Sequence, residues 1–176
     1  TSFFPTPHPP STGCGLAEVF HRTALGTLHA GDCLAGLQAL EADSIDLVVA
    51  DPPYGIKKAE WDSWASRKDY VDWARLWLEE VARVLRPGGR FFCLEFSHVA
   101  IPALAALYDR YAFNVLPWLG KVVAQDRDSY LYLAESIRRF PDQETFLGII
   151  GAAGLHRPKF QNLSGGIAAI HWARRI

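Results

Sequence analysis

The clearest periodic pattern in the chain lies between residues 69 and 85, in the segment DYVDWARLWLEEVARVL. Apolar side chains recur there every three or four residues, the spacing that places them on one face of an α-helix. The stripe consists of Tyr70, Ala74, Trp77, Val81 and Leu85, widened by Leu78 and Ala82. The following RPGG (86–89) ends the pattern, because proline cannot continue a helix and glycine accepts a left-handed turn. We therefore predict a helix over 69–85.

Short continuous apolar runs predict buried strands. SIDLVVA (44–50) and RFFCLEF (90–96) lie between turn signals and have the length of strands buried on both faces of a parallel sheet. LGTLHAGD (25–32) predicts a shorter strand that ends at Gly31-Asp32, and the helical spacing of the leucines after it predicts a helix over 33–41. Strands and helices thus alternate along the first half of the chain.

The second half predicts further helices and then a hairpin. The segment 98–113 is expected to be helical after Pro102, and further helices are expected over 130–140 and 143–153, with Asp142 as the cap of the last one. LHRPKFQNL and GIAAIHWARRI at the carboxyl end are predicted strands joined by SGG (164–166), a hairpin signal. The fold class predicted is α/β, with a mostly parallel sheet and a C-terminal antiparallel hairpin.

Composition narrows the class of protein. Four prolines among the first ten residues predict a flexible leader over 1–24, followed by a single domain over 25–176. The formal net charge of −1 gives no overall attraction to nucleic acid. Cys14, Cys33 and Cys93 are scattered and the six histidines lack ligand spacing, which predicts reduced thiols, a cytoplasmic location and no metal site. The apolar run 146–155 is too short to cross a bilayer.

The stretch ADPPYG (50–55) carries the most specific candidate chemistry. It follows a predicted buried strand, at the edge where open α/β sheets place their sites. The Asp51 carboxylate and the Pro52 carbonyl are acceptors on an arm stiffened by Pro53, and Tyr54 offers a ring on which a planar base can stack. Together these groups could hold the exocyclic amine of a base in position for methyl transfer. The alternative interpretation of the tetrapeptide is an ordinary strand-to-loop exit with a solvated Asp51 and two turn prolines.

Residues 26–90, which contain this tetrapeptide and the helix ending in RVLRPGG, resemble the DNA amino-methyltransferases that act on adenine N6 or cytosine N4. The resemblance implies that Asp51, Pro52, Pro53 and Tyr54 are the catalytic tetrad and that DNA is the partner. It also implies S-adenosylmethionine as cofactor, contacted by Gly31, Asp32, Cys33 and Asp51. Asp32 has a second interpretation, as the cap of the following helix. Lys57 and Lys58 are candidates for phosphate contacts or ordinary solvated loop charges.

Residues 86–176 instead resemble the ubiquinone/menaquinone C-methyltransferases of the UbiE type, through RVLRPGGRFFCLEFSHV, DSYLYLAESI and NLSGGIAAIHWARR. This resemblance implies a prenylated quinol as substrate, with Tyr108 and Tyr130 as walls of its site, although each is also explained as an aromatic core residue. Ser97 and His98 are adjacent at the end of a predicted strand, where such a pair is expected to be solvated. No G-x-S-x-G motif surrounds them, so a nucleophilic role is not predicted.

The two resemblances meet at RVLRPGG, so the chain is interpreted as a splice of two methyltransferases with an incomplete Rossmann-like sheet. Neither half supplies the glycine-rich turn that approaches the methionine end of S-adenosylmethionine. Three hypotheses follow. The first is a DNA amino-methyltransferase, the second a quinol C-methyltransferase, and the third an inactive methyltransferase fold that lacks the cofactor loop.

Overall fold

The computed structural model describes residues 18–53, 64, 66–125, 134, 137–138 and 140–176. Tyr54, Lys57, Lys58 and Tyr130 from the predicted site lie outside these residues, as do Cys14 and most of the helix predicted over 130–140. The strands are β1 (Glu18–Arg22), β2 (Thr27–Ala30), β3 (Ile45–Ala50), β4 (Leu85–Phe96), β5 (His156–Leu163) and β6 (Ala168–Arg174). The helices are α1 (Cys33–Gln38), α2 (Arg67–Val84), α3 (Pro102–Arg110), α4 (Leu116–Leu119) and α5 (Gln143–Ala152). π-helical turns span Tyr111–Val115 and Gly120–Ala124, and a 3₁₀ turn spans Ser164–Gly166.

A four-stranded sheet in the order β3-β4-β6-β5 organises the fold. Strand β3 pairs in parallel with β4, whereas β4–β6 and β6–β5 are antiparallel. The predicted α/β class and the C-terminal hairpin are confirmed, and the described sheet is mixed rather than mostly parallel. Its single parallel pair brings the carboxyl end of β3 beside the middle of β4, with Ala50 opposite Cys93.

Strands β1 and β2 form a separate antiparallel hairpin. Among the described residues β2 has no pairing with β3, and Val19 and Phe20 are 51% and 63% exposed. The hairpin turns at Thr23, whose N–H and hydroxyl both donate to the Gly26 carbonyl oxygen, at 2.8 and 3.2 Å. The boundary predicted at residue 25 lies between β1 and β2, and the division into a leader and a domain stays a prediction.

Helix α2 forms where the apolar stripe predicts it. Ser66 caps it, since its Oγ accepts a hydrogen bond from the Asp69 N–H at 3.2 Å. The helix ends at Val84, and Gly88 adopts a φ of +85°, the left-handed conformation expected within RPGG. Strand β4 begins at Leu85, so RPGG lies at the start of this strand. The register between β3 and β4 shifts there, between Ile45 and Leu47.

One face of the sheet carries the core. Helices α2 and α5 cover the side on which Phe91, Cys93 and Ala173 project, and these three side chains are at most 3% exposed. Leu78, Val81, Phe146 and Ile150 from the two helices are also at most 1% exposed. Burial of a large apolar side chain of this kind contributes about 1.5–3 kcal/mol. The opposite side carries Val49 and Leu94, which are 72% and 54% exposed.

Candidate functional site

A cavity of about 170 Å³ lies just beyond the carboxyl end of β4. Its wall includes Ser97, His98, Tyr108, Asp109, Phe113 and Arg138. These residues come from the segment after β4, from α3, from the π-helical turn that follows α3, and from residue 138. The cavity therefore joins the end of a central strand to the helical segment packed beyond it.

The backbone around His98 is held from two other parts of the chain. His98 Nε2 lies 3.0 Å from the Phe140 carbonyl oxygen, which can only accept, so Nε2 carries the proton and donates. Gln143 Nε2 in turn donates to the His98 carbonyl oxygen at 2.8 Å and to Asn162 Oδ1 at 2.9 Å. With Nε2 protonated, Nδ1 is the acceptor of the neutral ring.

The 3₁₀ turn at Ser164–Gly166 packs directly against the same segment. The Ser97 N–H donates to the Ile167 carbonyl oxygen at 2.9 Å, and the Ala100 N–H donates to that of Gly165 at 3.0 Å. A Cβ on Gly166 would lie 2.6 Å from the Ala100 nitrogen and 2.8 Å from the His98 oxygen. The segment SGG therefore closes the predicted hairpin and also supports the wall of the cavity.

Ser97 is 1% exposed, so the expectation that Ser97 and His98 are both solvated is wrong for the serine. Residues 91, 93, 95 and 97 alternate onto the helix-covered face of β4, which carries Ser97 inward. The Ser97 Oγ has no hydrogen-bond partner within the described part of the chain, and its residue lines the cavity. A buried hydroxyl in this state is a ready donor or acceptor for a bound ligand.

The far wall combines charge with aromatic surface. Arg138 Nη2 lies 2.9 Å from Asp109 Oδ2, and the guanidinium carbon lies 4.2 Å from the centre of the Phe113 ring. Partial burial, reinforced by Tyr111 and Asp109, raises the pKa of Tyr108 above its ordinary value. The Tyr108 hydroxyl is therefore protonated at neutral pH and available as a donor.

Asp51, Pro52 and Pro53 occupy the predicted edge of the sheet but do not line this cavity. Asp51 is exposed, whereas Pro52 is buried. Burial is the main cause that raises the pKa of the Cys93 thiol, and the charges of Glu95 and then Asp51 raise it further. Asp51 therefore lies close enough to β4 to act electrostatically on Cys93. The site predicted at the carboxyl end of β3 therefore differs from this cavity, which lies just beyond the carboxyl end of β4.

The predicted cofactor residues sit at the start of α1. Asp32 Oδ1 accepts a hydrogen bond from the Ala35 N–H at 2.9 Å, so its interpretation as a helix cap is confirmed. Gly31 and Asp32 are exposed, and Cys33 begins the helix. Burial and then the Asp32 carboxylate raise the pKa of the Cys33 thiol. Contact of these three residues with a cofactor stays a prediction.

Within the described ranges, no three His, Cys, Asp or Glu side chains are grouped as they would be to hold a metal ion. No helix in the described part of the chain combines the length and apolar character needed to cross a bilayer.

Comparison with known proteins adds what the geometry alone does not give. Residues 68–175 match the model of the ubiE/COQ5 methyltransferase family. A "Ubiquinone/menaquinone biosynthesis C-methyltransferase UbiE" of Paracoccus denitrificans is 62% identical over 94 residues, which are 53% of this chain and 38% of that protein. Proteins of the same name from Acidiphilium cryptum and Caulobacter vibrioides are each 59% identical, over 56% and 54% of this chain and 40% and 39% of their own length. The chain thus spans about two fifths of the relatives it matches.

These matches overturn the first hypothesis, DNA amino-methylation. The ubiE/COQ5 match begins at residue 68 and so includes α2, which the first resemblance assigned to the DNA enzymes. The interpretation as a splice near RVLRPGG has no support for the same reason, since one family model runs across that junction. The role predicted for Asp51–Tyr54 toward an exocyclic amine belonged to that hypothesis and is not carried further.

The matches imply S-adenosylmethionine as the methyl donor, as the sequence predicted. The described residues do not form a complete cradle for it. Asp32 is engaged as a helix cap, and β2, which leads into Gly31, pairs with β1 instead of extending the sheet beside β3. We therefore derive no reaction step through the cofactor.

Proposed function

The chain belongs to the ubiE/COQ5 methyltransferase family, because residues 68–175, more than half of its 176 residues, match the family model. We propose that it transfers a methyl group to a ring carbon of a prenylated quinol. The matched range contains every residue named above in the cavity wall, and this single observation supports the cavity as the quinol site. The substrate is part of the proposal, since the chain spans only 38–40% of the three relatives.

The chemistry of a quinol suits the groups in the wall. A ring carbon beside a hydroxyl becomes nucleophilic when that hydroxyl gives up its proton, so the site needs a proton acceptor and donors that fix the ring. We assign the acceptor to His98 Nδ1, because Nε2 is engaged by the Phe140 carbonyl oxygen. Ser97 and Tyr108 are assigned as the hydroxyls that orient the ring oxygens.

The size of the cavity limits what it holds. At about 170 Å³ it is smaller than the roughly 300–1,000 Å³ of sites that enclose drug-sized ligands. We therefore place the quinol ring inside, against Phe113, and the prenyl chain outside. Short-chain and long-chain quinols are then expected to bind with similar affinity at this site.

The test separates binding from transfer. A short-chain quinol that lacks the ring methyl group is titrated anaerobically against the protein without cofactor, and methyl transfer from labelled S-adenosylmethionine is measured separately. Ser97→Ala and Tyr108→Phe each remove one hydrogen bond of about 0.5–1.5 kcal/mol, so each weakens quinol binding about two- to tenfold. Ser44→Ala is the control, because that exposed hydroxyl donates only locally, to the Glu41 carbonyl oxygen. Equal affinity in all three variants would contradict the assignment.

The third hypothesis, an inactive methyltransferase fold that lacks the cofactor loop, is favoured by one observation, and such a chain would be a module that binds a quinol without methylating it. The Gly31-Asp32 turn is exposed and follows a hairpin separate from the main sheet. Calorimetric titration with S-adenosylmethionine distinguishes the two functions. Quinol binding without cofactor binding at millimolar concentration would support the binding module and refute methyl transfer by this chain.

A further inference from the structure

A second cleft lies on the side of the sheet opposite α2 and α5. Its volume is about 370 Å³, and it is lined by Arg90, Phe92, Arg157, Lys159, Trp172 and Arg174, with Ala173. Four of these side chains are cations, two are aromatic, and none is a carboxylate. The chain as a whole carries a net charge of −1, so this concentration of positive charge is a local feature.

The strand register places like charges together. Arg90 lies directly opposite Arg174 in the β4–β6 pair, and Phe92 lies opposite Trp172 two residues further along. Trp172 in turn lies opposite Lys159 on β5. Like charges directly opposite each other destabilise a sheet. An anion bound between the two guanidinium groups would remove this cost.

Within the described ranges, no ion pair with a carboxylate neutralises the cluster. The ion pairs of the described residues are Lys68–Asp72, Arg75–Glu79, Arg83–Glu80, Arg86–Asp46 and Arg138–Asp109. None of these pairs includes a cation of the cleft. The four cations are exposed, and their charges remain directed at solvent in the described structure.

The backbone at Arg157 adds a second sign of a built site. Arg157 has a φ of +51°, a left-handed conformation that a residue with a long side chain rarely adopts. It lies at the register shift of β5 between His156 and Lys159, which inserts an irregularity beside the cleft. Such strained backbone conformations are concentrated at binding and catalytic sites.

From the opposed Arg90–Arg174 pair and the aromatic wall beside it, we propose that this cleft binds a phosphate ester that carries an apolar or aromatic group. The guanidinium groups take the phosphate oxygens in charge-assisted hydrogen bonds, and Phe92 and Trp172 contact the rest of the ligand. The site is separate from the proposed quinol cavity, because Arg90 and Ser97 are seven residues apart along β4 and project to opposite faces. The ligand is either a soluble phosphate ester or the headgroup of an anionic lipid, which share this chemistry.

The experiment uses one probe for each source. Phenyl phosphate is titrated at low salt by calorimetry, and vesicles of phosphatidylglycerol are compared with vesicles of phosphatidylcholine in a sedimentation assay. The test variant is the double substitution Arg90→Gln and Arg174→Gln. Hydrogen bonds to charged groups contribute about 1.5–3 kcal/mol, so the double variant is expected to lose at least about tenfold in affinity. Arg75→Gln is the control, since it removes an exposed cation from α2.

Each outcome decides the proposal. Saturable binding of phenyl phosphate that the double variant loses and Arg75→Gln retains supports a soluble ligand. The same pattern confined to phosphatidylglycerol vesicles supports a lipid headgroup. Binding of neither probe, or equal weakening by Arg75→Gln and the double variant, overturns the site. The melting temperature of the ligand-free double variant checks folding, and it should equal or exceed that of the unchanged protein because the like-charge pair is gone.

Discussion

His171 offers the sharpest test of the core. The side chain is 0% exposed, lies edge-on to the Phe146 ring with centres 5.0 Å apart, and has Nε2 3.3 Å from the Gln143 carbonyl oxygen. Burial lowers the pKa of His171 below the ordinary value, with partial compensation from the hydrogen bond to Gln143. The unfolded chain therefore binds a proton that the folded chain resists. Stability should fall as the pH drops below 6.5, down to the lowered pKa of the folded state.

The size of this effect follows from the unfolded state. A histidine with an ordinary pKa of about 6.5 is roughly nine-tenths protonated at pH 5.5 and one-tenth protonated at pH 7.5. If the folded ring stays neutral over this range, the free energy of unfolding is about 1.4 kcal/mol lower at pH 5.5 than at pH 7.5. This value is the upper bound for one residue.

His171→Gln isolates the contribution, because the amide keeps a donor for the Gln143 carbonyl oxygen but does not titrate. Urea unfolding is measured at pH 5.5 and 7.5 for the unchanged protein, for His171→Gln and for His156→Gln, whose side chain is exposed. We expect His171→Gln to be less stable at pH 7.5 and to have a smaller difference between the two pH values, by up to about 1.4 kcal/mol. A pH dependence unchanged in His171→Gln, or reduced equally in His156→Gln, would refute the neutral buried ring.

Further substitutions test the contacts that position the site and its scaffold. Gly166 has a φ of +100°, and a Cβ there would lie 2.6 Å from the Ala100 nitrogen, so Gly166→Ala should lower the melting temperature and weaken quinol binding. Gly148 lies in the interior of α5, and a Cβ there would meet no atom within 4 Å. Gly148→Ala should therefore stabilise the protein by up to about 1 kcal/mol. Ser66→Ala removes the cap of α2 and should cost about 1 kcal/mol in urea unfolding, with Ser44→Ala as the control. Two guanidinium nitrogens of Arg83 donate to the carbonyl oxygens of Leu37 and Leu40, at 2.9 and 3.1 Å. A lysine has one side-chain nitrogen and cannot reproduce both bonds in this geometry, so Arg83→Lys should speed hydrogen exchange in α1 selectively.

Elements with a strong local signal are the ones that the sequence predicts well. The stripe of α2 fixes its buried face without reference to the rest of the chain, and the structure buries Tyr70, Trp77 and Leu78 as expected. Asp142 likewise caps α5, since its Oδ1 accepts from the Thr145 N–H at 2.9 Å. The mixed sheet is harder to predict, because strand order depends on pairings between β3 and β4 and between β4 and β6, which are distant in sequence.

The cavity is not predictable from local patterns, because contacts between distant segments build it. His98 is fixed by Phe140 and Gln143, and the backbone beside it is supported by Gly166, more than 60 residues away in the chain. One signal was present nevertheless. In RFFCLEFS the polar side chains of Glu95 and Ser97 fall on the same face of the strand as buried apolar ones, and a polar residue at a core position points to a site.

The wrong substrate prediction has a similar physical cause. DPPY is attractive because its groups suit an exocyclic amine, but Asp51, Pro52 and Pro53 also fit a stiff exit from β3, with Pro52 buried and Asp51 exposed. The chemistry of a tetrapeptide does not choose between these explanations, because the same backbone turn satisfies both. The match over residues 68–175 contradicts DNA amino-methylation as the function, although it begins after Asp51–Tyr54. Under the proposed function, the substrate contacts the cavity wall at Ser97, Tyr108 and Phe113 rather than the carboxyl end of β3.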